Sequence, residues 1–301
     1  MELVSAILTT HNREPSYLRR ALESVRSQRN CPGMEVIVVD DSDPDYLQRN
    51  EVQQLAKAFD GKPFPLRYVQ HDHCCGLSAA RNTALACSTG EYVAFLDDDD
   101  EWLPEKTARQ LWALRHCPAA ALCYAGGYTE DDSNGARAPL HCVYRRGRVF
   151  EALLRGNWIG VPSFVLLRRA CVMEIGGFDT ALASMEDYDL FLRLAERYDI
   201  TFVRARLAVY HEHSGGQMTD DAARSLSALE YILDKYREPI LKNPAARRAN
   251  HRKLALAYAE NGRRAEALRC WRALCEDTLF RPLYLLRVRW RIERLLREQE
   301  M

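Results

Sequence analysis

Short apolar runs alternate with amphipathic stretches along the first hundred residues. LVSAILT (3–9), MEVIVV (34–39), LRYV (66–69) and EYVAFL (91–96) are dominated by Val, Ile, Leu and aromatic residues. Runs of this length, bounded by polar residues, predict buried strands. Residues 17–28, 46–59, 77–86 and 104–116 carry apolar residues at helical spacing, and Pro15 and Ser16 stand where the first of these helices starts. Near-continuous apolar strands separated by helices predict a parallel sheet with helices on both faces. Ligands of such sheets bind beyond the carboxyl ends of the strands. Polar residues gather there: Thr9, Thr10, His11 and Asn12, then Asp40, Asp41 and Ser42, then Asp97, Asp98, Asp99 and Asp100.

The pattern is loose from residue 126 to 160. A strand is expected over 161–167, a helix over 188–198, and short strands over 200–203 and 207–210. From about Ala222 the chain reads as wholly helical, with a hairpin over 254–274 turning at Asn261 and Gly262 and a last helix over 280–298. The expected division is therefore residues 1–221 and a helical region 222–301.

Composition narrows the class without naming a function. Hydrophobic residues make 47% and charged residues 28% of 301, which excludes a disordered or fibrous chain. No apolar run approaches the ~18 residues of a membrane span, and the first residues lead straight into a strand without the features of an export signal. The ten cysteines lack framework spacing and read as reduced, mostly buried thiols of a cytoplasmic protein. Net charge is zero, yet residues 237–301 hold sixteen Lys/Arg against eight Asp/Glu. That +8 tail on a −8 body suits an anionic partner such as a membrane surface.

Four consecutive aspartates at a strand end form the sharpest chemical feature. Like charges repel, and a divalent ion with hard oxygen ligands relieves the conflict, as for Mg2+ or Mn2+ held by carboxylates and diphosphate oxygens. The bland alternative is an acidic loop in which Asp100 or Glu101 caps the following helix. Asp40 and Asp41 read as turn residues or as acceptors for a base N–H or ribose hydroxyl. Gly76 to Asn82 begins a helix, with Arg81 one turn inside where it suits a phosphate or base edge. His71, His73, Cys74 and Cys75 lack a second ligand pair at zinc-finger spacing and read as loop residues. Glu186 and Asp187 open a helix, and one of them suits a general base. His211 and His213 precede a Gly-Gly stretch, and His213 near a metal–diphosphate site would complete its coordination.

Taken in order, ILTTHNR (7–13), VVDDS (38–42), GLSAARN (76–82), GEYVAFLDDDD (90–100), GGFD (176–179), the acid pair 186–187 and the histidine loop resemble an inverting family 2 glycosyltransferase of the GT-A fold. The resemblance covers residues 2 to about 219. It implies an α/β, Rossmann-like, mostly parallel sheet with flanking helices, here joined to an all-helical C-terminal extension. It further implies a nucleotide-sugar donor, expected to be a UDP-sugar, and Mn2+ or Mg2+. Thr9 and Asp40, with their neighbours Asn12 and Asp41, match the base-binding segments, and Arg81 a position near the base and diphosphate. The Asp-x-Asp motif falls on Asp97 and Asp99: Asp99 matches the metal carboxylate, with Asp97 beside it, and Asp97 or Asp98 faces the ribose. Asp187 matches the general base and Glu186 the motif's other acid, which orients the acceptor. Either His211 or His213 fills the family's histidine position.

The acceptor implied is a glycan or lipid-linked hydroxyl in surface polysaccharide or lipopolysaccharide synthesis. Two alternatives stand beside this reading. One is a sugar-nucleotide nucleotidyltransferase of similar fold, which wants a glycine-rich loop that residues 9–13 lack. The other is a non-catalytic protein acting through its helical tail. In that tail, arginines interleave with Leu, Val, Trp and Ile, which suits a membrane interface better than nucleic acid. Leu283, Leu286 and Trp290, flanked by Arg281, Arg287, Arg291 and Arg294, form the expected docking stripe at the inner face of the plasma membrane. Otherwise that stripe packs on the preceding hairpin or on a second subunit of a homodimer.

Overall fold

The computed structural model describes residues 3–61, 63–213, 221–278 and 282–299. In chain order the elements are β1 (Val4–Thr10), α1 (Pro15–Arg26), β2 (Met34–Asp40), α2 (Arg49–Phe59), β3 (Leu66–Gln70), α3 (Leu77–Cys87), β4 (Tyr92–Asp97), β5 (Glu101–Trp102), α4 (Lys106–Arg115), β6 (Ala120–Asp131), β7 (Ala136–Pro139) and α5 (Phe150–Leu153). A 3-10 turn (Pro162–Phe164) leads into β8 (Val165–Arg168), then α6 (Arg169–Glu174), α7 (Glu186–Arg197) and β9 (Asp199–Glu212). Helices α8 (Ala222–Lys235), α9 (Arg237–Lys242), α10 (Pro244–Glu260), α11 (Arg264–Asp277) and α12 (Pro282–Glu298) complete the described chain.

Two compact units result. The first comprises residues 1–149, 158–181 and 186–214; the second comprises 215–301 and also takes in 150–157 and 182–185. The fold is α/β with a helical C-terminal region. In the first unit the strands form one sheet of order β3-β2-β1-β4-β8-β6-β9-β5, with β7 on β6. The expected parallel pairing holds for β1, β2, β3 and β4. Beyond β4 the sheet is mixed, because β8 runs antiparallel to both of its neighbours while β6 and β9 pair in parallel.

The apolar runs dictate this core. Every residue of β1 is buried, and Leu18, Leu22 and Val25 of α1 share one buried cluster with Val4, Ala6 and Leu8 of β1 and with Val36 and Val38 of β2. Each such large side chain removed from water contributes roughly 1.5–3 kcal/mol. Pro15 occupies the first turn of α1, where its missing N–H costs nothing.

Three expectations need correction. Residues 120–131 form the long strand β6, part of which fell in the segment read as loose. At Gly127 a Cβ would stand 2.4 Å from Phe164 Cζ, so the glycine admits an aromatic ring rather than marking a loop. The two short strands expected near residues 200 and 210 are one strand, β9, and irregular register opposite β6 absorbs the interruption. Of the cysteines only Cys123 is buried; Cys74 and Cys75 are exposed and the rest half-buried.

In the second unit, α10 and α11 form the expected hairpin, with Gly262 at φ 69° in its turn. Asn243 caps α10 by accepting from the backbone N–H groups of Ala245 and Ala246. Helix α12 joins the hairpin's apolar core through Val288, Ile292 and Leu296. Leu283, Leu286 and Trp290 instead remain 73%, 61% and 61% exposed. Phe280 and Arg281 lie outside the described residues. Among the described residues no helix is long and apolar enough to cross a membrane.

Candidate active site

Register brings the chemistry together. Thr9 of β1 pairs with Asp97 of β4, and Thr10 with Asp40 of β2, so the polar strand ends form one edge. At that edge Thr10 Oγ1 donates to Asp98 Oδ2 at 2.6 Å. Asp98 is 7% exposed. Burial, then the neighbouring Asp99 charge, pushes its carboxyl up to about 7. Asp97 is raised too, chiefly by burial, although Arg81 opposes the shift.

Asp100 points inward. Its Oδ1 accepts from the backbone N–H of His211 at 3.3 Å, and its carboxyl is held well above the usual range by burial and by Asp97 and Asp99. Glu101 accepts from His211 Nε2 at 2.9 Å. Neither residue caps the next helix: α4 has no side-chain cap.

The two histidines take different places. His211 is 1% exposed and held between Asp132, 2.6 Å from Nδ1, and Glu101. Burial pulls this imidazole down, but the two carboxylates outweigh it and raise its pKa. His213 Nε2 lies 3.0 Å from Asp99 Oδ2 and 2.9 Å from Arg13 Nη1, while Arg13 Nη2 is 3.0 Å from Asp99. Arg13 only donates and Asp99 only accepts, so Nε2 satisfies one of them in either protonation state and never both. The buried Nδ1 has no partner among the described residues. A divalent cation would take a lone pair from each of Asp99 and His213. Adjacent ligands of an octahedral ion with ~2.1 Å bonds stand about 3 Å apart, so the pair fits Mg2+ or Mn2+.

Arg81 knits the acidic elements together. It is 2% exposed, and its guanidinium donates to Asp97 at 2.6 Å and Glu186 at 2.5 Å while lying 5.3 Å from the Phe178 ring. Asn82, the next residue on α3, clasps the backbone of Phe178: it donates to the carbonyl at 2.9 Å and accepts from the N–H at 2.8 Å. A Cβ on Gly177 would meet Asn82 Oδ1 at 2.5 Å, which explains the glycine before Phe178. The segments 81–82 and 176–179 are thus one assembly.

Glu186 and Asp187 begin α7, immediately after Met185 at φ +60°, a left-handed conformation that a non-glycine residue adopts at a cost. Glu186 is 7% exposed and turned to Arg81. Asp187 is half-buried, and burial followed by the Glu186 charge pushes it up to about 7. A carboxyl with that value changes charge near neutral pH.

At the end of β2, Asp40 is fully buried and accepts from Tyr68 Oη at 2.7 Å and from the backbone of Ser42 at 3.0 Å. Each of its oxygens keeps a second lone pair. Thr9, whose register partner on β2 is Val39, is 7% exposed. Asp41 anchors the loop before α3: it accepts from His71 and from the backbone N–H groups of Cys75 and Gly76, at 2.7–2.8 Å. These bonds outweigh burial and lower its pKa. Asn12, at φ +46°, exchanges hydrogen bonds with Asp43 and, among the described residues, donates none to the carboxylates of Asp40 or Asp41. The sequence reading gave no role to Arg13, Arg20 or Asp132, which surround the acidic run. Arg20 donates to the carbonyl of Asp99 at 2.8 Å and pairs with Asp132 at 3.1 Å.

The model of the family described as Glycosyl transferase family 2 matches residues 5–176. The chain belongs to glycosyl transferase family 2. This family 2 enzyme is 28% identical over 242 residues to the putative colanic acid biosynthesis glycosyl transferase WcaA of Escherichia coli, covering 78% of this chain and 82% of that one. Two solved structures share its fold. Staphylococcus aureus TarS 1–349 in complex with UDP-GlcNAc aligns with a TM-score of 0.65 at 19% identity, covering 99% of this chain and 90% of TarS. The mannosyltransferase PcManGT of Pyrobaculum calidifontis, in complex with GDP-Man and Mn2+, aligns with a TM-score of 0.59 at 20% identity, covering 94% and 78%.

Proposed function

We propose that this glycosyltransferase moves a sugar from a nucleotide-diphosphate donor, expected to be a UDP-sugar, onto a hydroxyl of a glycan or lipid-linked acceptor with inversion at the anomeric carbon. The observation carrying this reading is the Asp99–His213 pair standing on the same sheet edge as the Arg81-held acids Asp97 and Glu186, with Asp187 next in the chain. Complexes of TarS with UDP-GlcNAc and of PcManGT with GDP-Man and Mn2+ support a nucleotide sugar and a divalent ion. The colanic acid biosynthesis named for WcaA supports surface polysaccharide assembly. Family membership removes the nucleotidyltransferase alternative, and the complete acidic set favours catalysis over a non-catalytic role.

Asp187 accepts the proton of the acceptor hydroxyl as the acceptor's oxygen bonds to the anomeric carbon; the bond from that carbon to the diphosphate breaks and the nucleoside diphosphate leaves. Arg81 positions this site by fixing Glu186 and Asp97, the latter toward the ribose alongside Asp98. Asp40 and Thr9 receive the base, with Asn12 and Asp41 shaping the loops around it. Asp99 and His213, with Asp97 near, would hold Mn2+ or Mg2+, whose positive charge stabilises the departing diphosphate. On this reading residues 1–221 carry the chemistry, and residues 222–301 bring the enzyme to an anionic membrane at the inner face of the plasma membrane.

The deciding experiment is a panel of UDP- and GDP-sugars with Mn2+, Mg2+ or chelator. Turnover of a UDP-sugar, lost in chelator and in Asp99→Asn, is the expected result. A product with retained anomeric configuration overturns the mechanism.

A further inference from the structure

The second unit contains a cavity of about 560 Å³, lined by Arg155, Arg248, Arg252, Asp277, Thr278 and Tyr284 among others. That volume lies within the ~300–1,000 Å³ of small-molecule sites. Arg248 and Arg252 are one turn apart on α10 and share a face, while Arg155 follows α5. None of the three guanidiniums has a carboxylate partner among the described residues. The single lining carboxylate among the described residues, Asp277, is already committed: Arg247 Nε donates to its oxygens at 2.8 and 2.9 Å, and His251 Nδ1 lies 3.0 Å away. Thr278 is 8% exposed, and its buried Oγ1 has no hydrogen-bond partner among the described residues. Burial, then the Arg252 charge, pulls Lys253, the next residue on α10, down to about 8.

Three guanidiniums without a carboxylate partner among the described residues line one cavity, and their planar forks match phosphate oxygens. The Thr278 hydroxyl, without a partner among the described residues, adds a further donor beside the guanidiniums for a multiply oxygenated anion. We propose that this cavity is a binding site for a phosphate-bearing ligand, held by Arg155, Arg248 and Arg252 with Thr278 as hydroxyl donor. The phosphate is carried by a soluble phosphorylated compound or by a lipid head group. This site is independent of the donor site and does not rest on the transfer reading.

Calorimetric titration of the full chain with pyrophosphate, in excess chelator to silence metal-assisted binding elsewhere, tests it. Wild type is expected to bind one equivalent, the double variant Arg248→Gln/Arg252→Gln at least tenfold more weakly, and Thr278→Val, which keeps shape, several-fold more weakly. Binding of UDP with Mn2+ stays unchanged in both variants and reports an intact fold. Displacement of phosphatidic acid vesicles by pyrophosphate, in wild type and not in the double variant, assigns the lipid source; pyrophosphate binding without displacement assigns the soluble one. Absence of pyrophosphate binding in wild type, or equal binding by the variants, overturns the proposal.

Discussion

Asp187 stands between two pressures on its charge: burial and the adjacent Glu186 favour the neutral form, while Arg81 favours the anion. The result, about 7, makes the carboxylate a stronger base than an exposed aspartate while leaving it substantially ionised at neutral pH. A base must be unprotonated to act. The rate, measured as kcat/KM, is therefore expected to fall about tenfold per unit as pH drops below about 7. Asp187→Asn should lower kcat by roughly 10²–10⁴-fold and abolish this acid limb, while donor affinity in a binding titration stays nearly constant. Arg81 offers a separate check. A guanidinium buried between two carboxylates positions the acids, so Arg81→Lys should reduce kcat far more than it raises KM for the donor. A rise in donor KM with kcat intact would place Arg81 on the donor instead.

Helix α12 divides its apolar residues between two faces. Val288, Ile292 and Leu296 close the hairpin core, and Leu283, Leu286 and Trp290 stand outward beside exposed Arg287 and Arg291. Each arginine near an anionic leaflet contributes about 1 kcal/mol, and Trp favours the interface. Leu283→Ser/Leu286→Ser/Trp290→Ser should abolish flotation with anionic vesicles, without lowering thermal stability, because the substituted face carries no core. A fall in oligomer size instead would identify a second copy as the occupant.

This split was only half legible in the sequence: spacing exposed the stripe, but which stripe meets the hairpin depends on non-local packing. Strands β1 to β4 were legible because their runs are apolar throughout and end abruptly in acids. Strand β6 was not, since alanines and two glycines dilute its signal, and those glycines serve close packing rather than turns. Arg204 and Arg206 broke β9 into two apparent pieces, whereas the structure accommodates them in a stretch of irregular register. At the site, the acids announced themselves by type and place. Arg13, Arg20 and Asp132 did not, because their significance lies in contacts between segments far apart in the chain.

Across the whole molecule, the acids of the candidate active site burden the fold. Asp98 and Asp187 are both pushed up to about 7, well above the ordinary carboxyl value near 4. Between those values the folded chain retains protons that the unfolded chain has released, so stability falls as pH rises through the window. Thermal unfolding in chelator should show the midpoint dropping from about pH 5 to about pH 8 by at least the roughly 2–4 °C that each kcal/mol represents in a chain of this size. Mn2+ should restore more of it at the higher pH, because a cation repays ionised carboxylates and not neutral ones. An unchanged midpoint across that range would contradict the buried, mutually repelling carboxyls.

The reversed strand β8 has a consequence in time. Tyr92 and Val93 of β4 pair with Leu167 and Arg168, and β6 also waits for β8. A ribosome adding about 5–20 residues per second leaves the growing chain with an open, apolar β4 edge for a period on the order of seconds. Such an edge is a template for wrong partners. Translation between residues 97 and 165 is accordingly the interval in which a chaperone matters most for this protein, and slow codons in that stretch should depress soluble yield more than slow codons outside it.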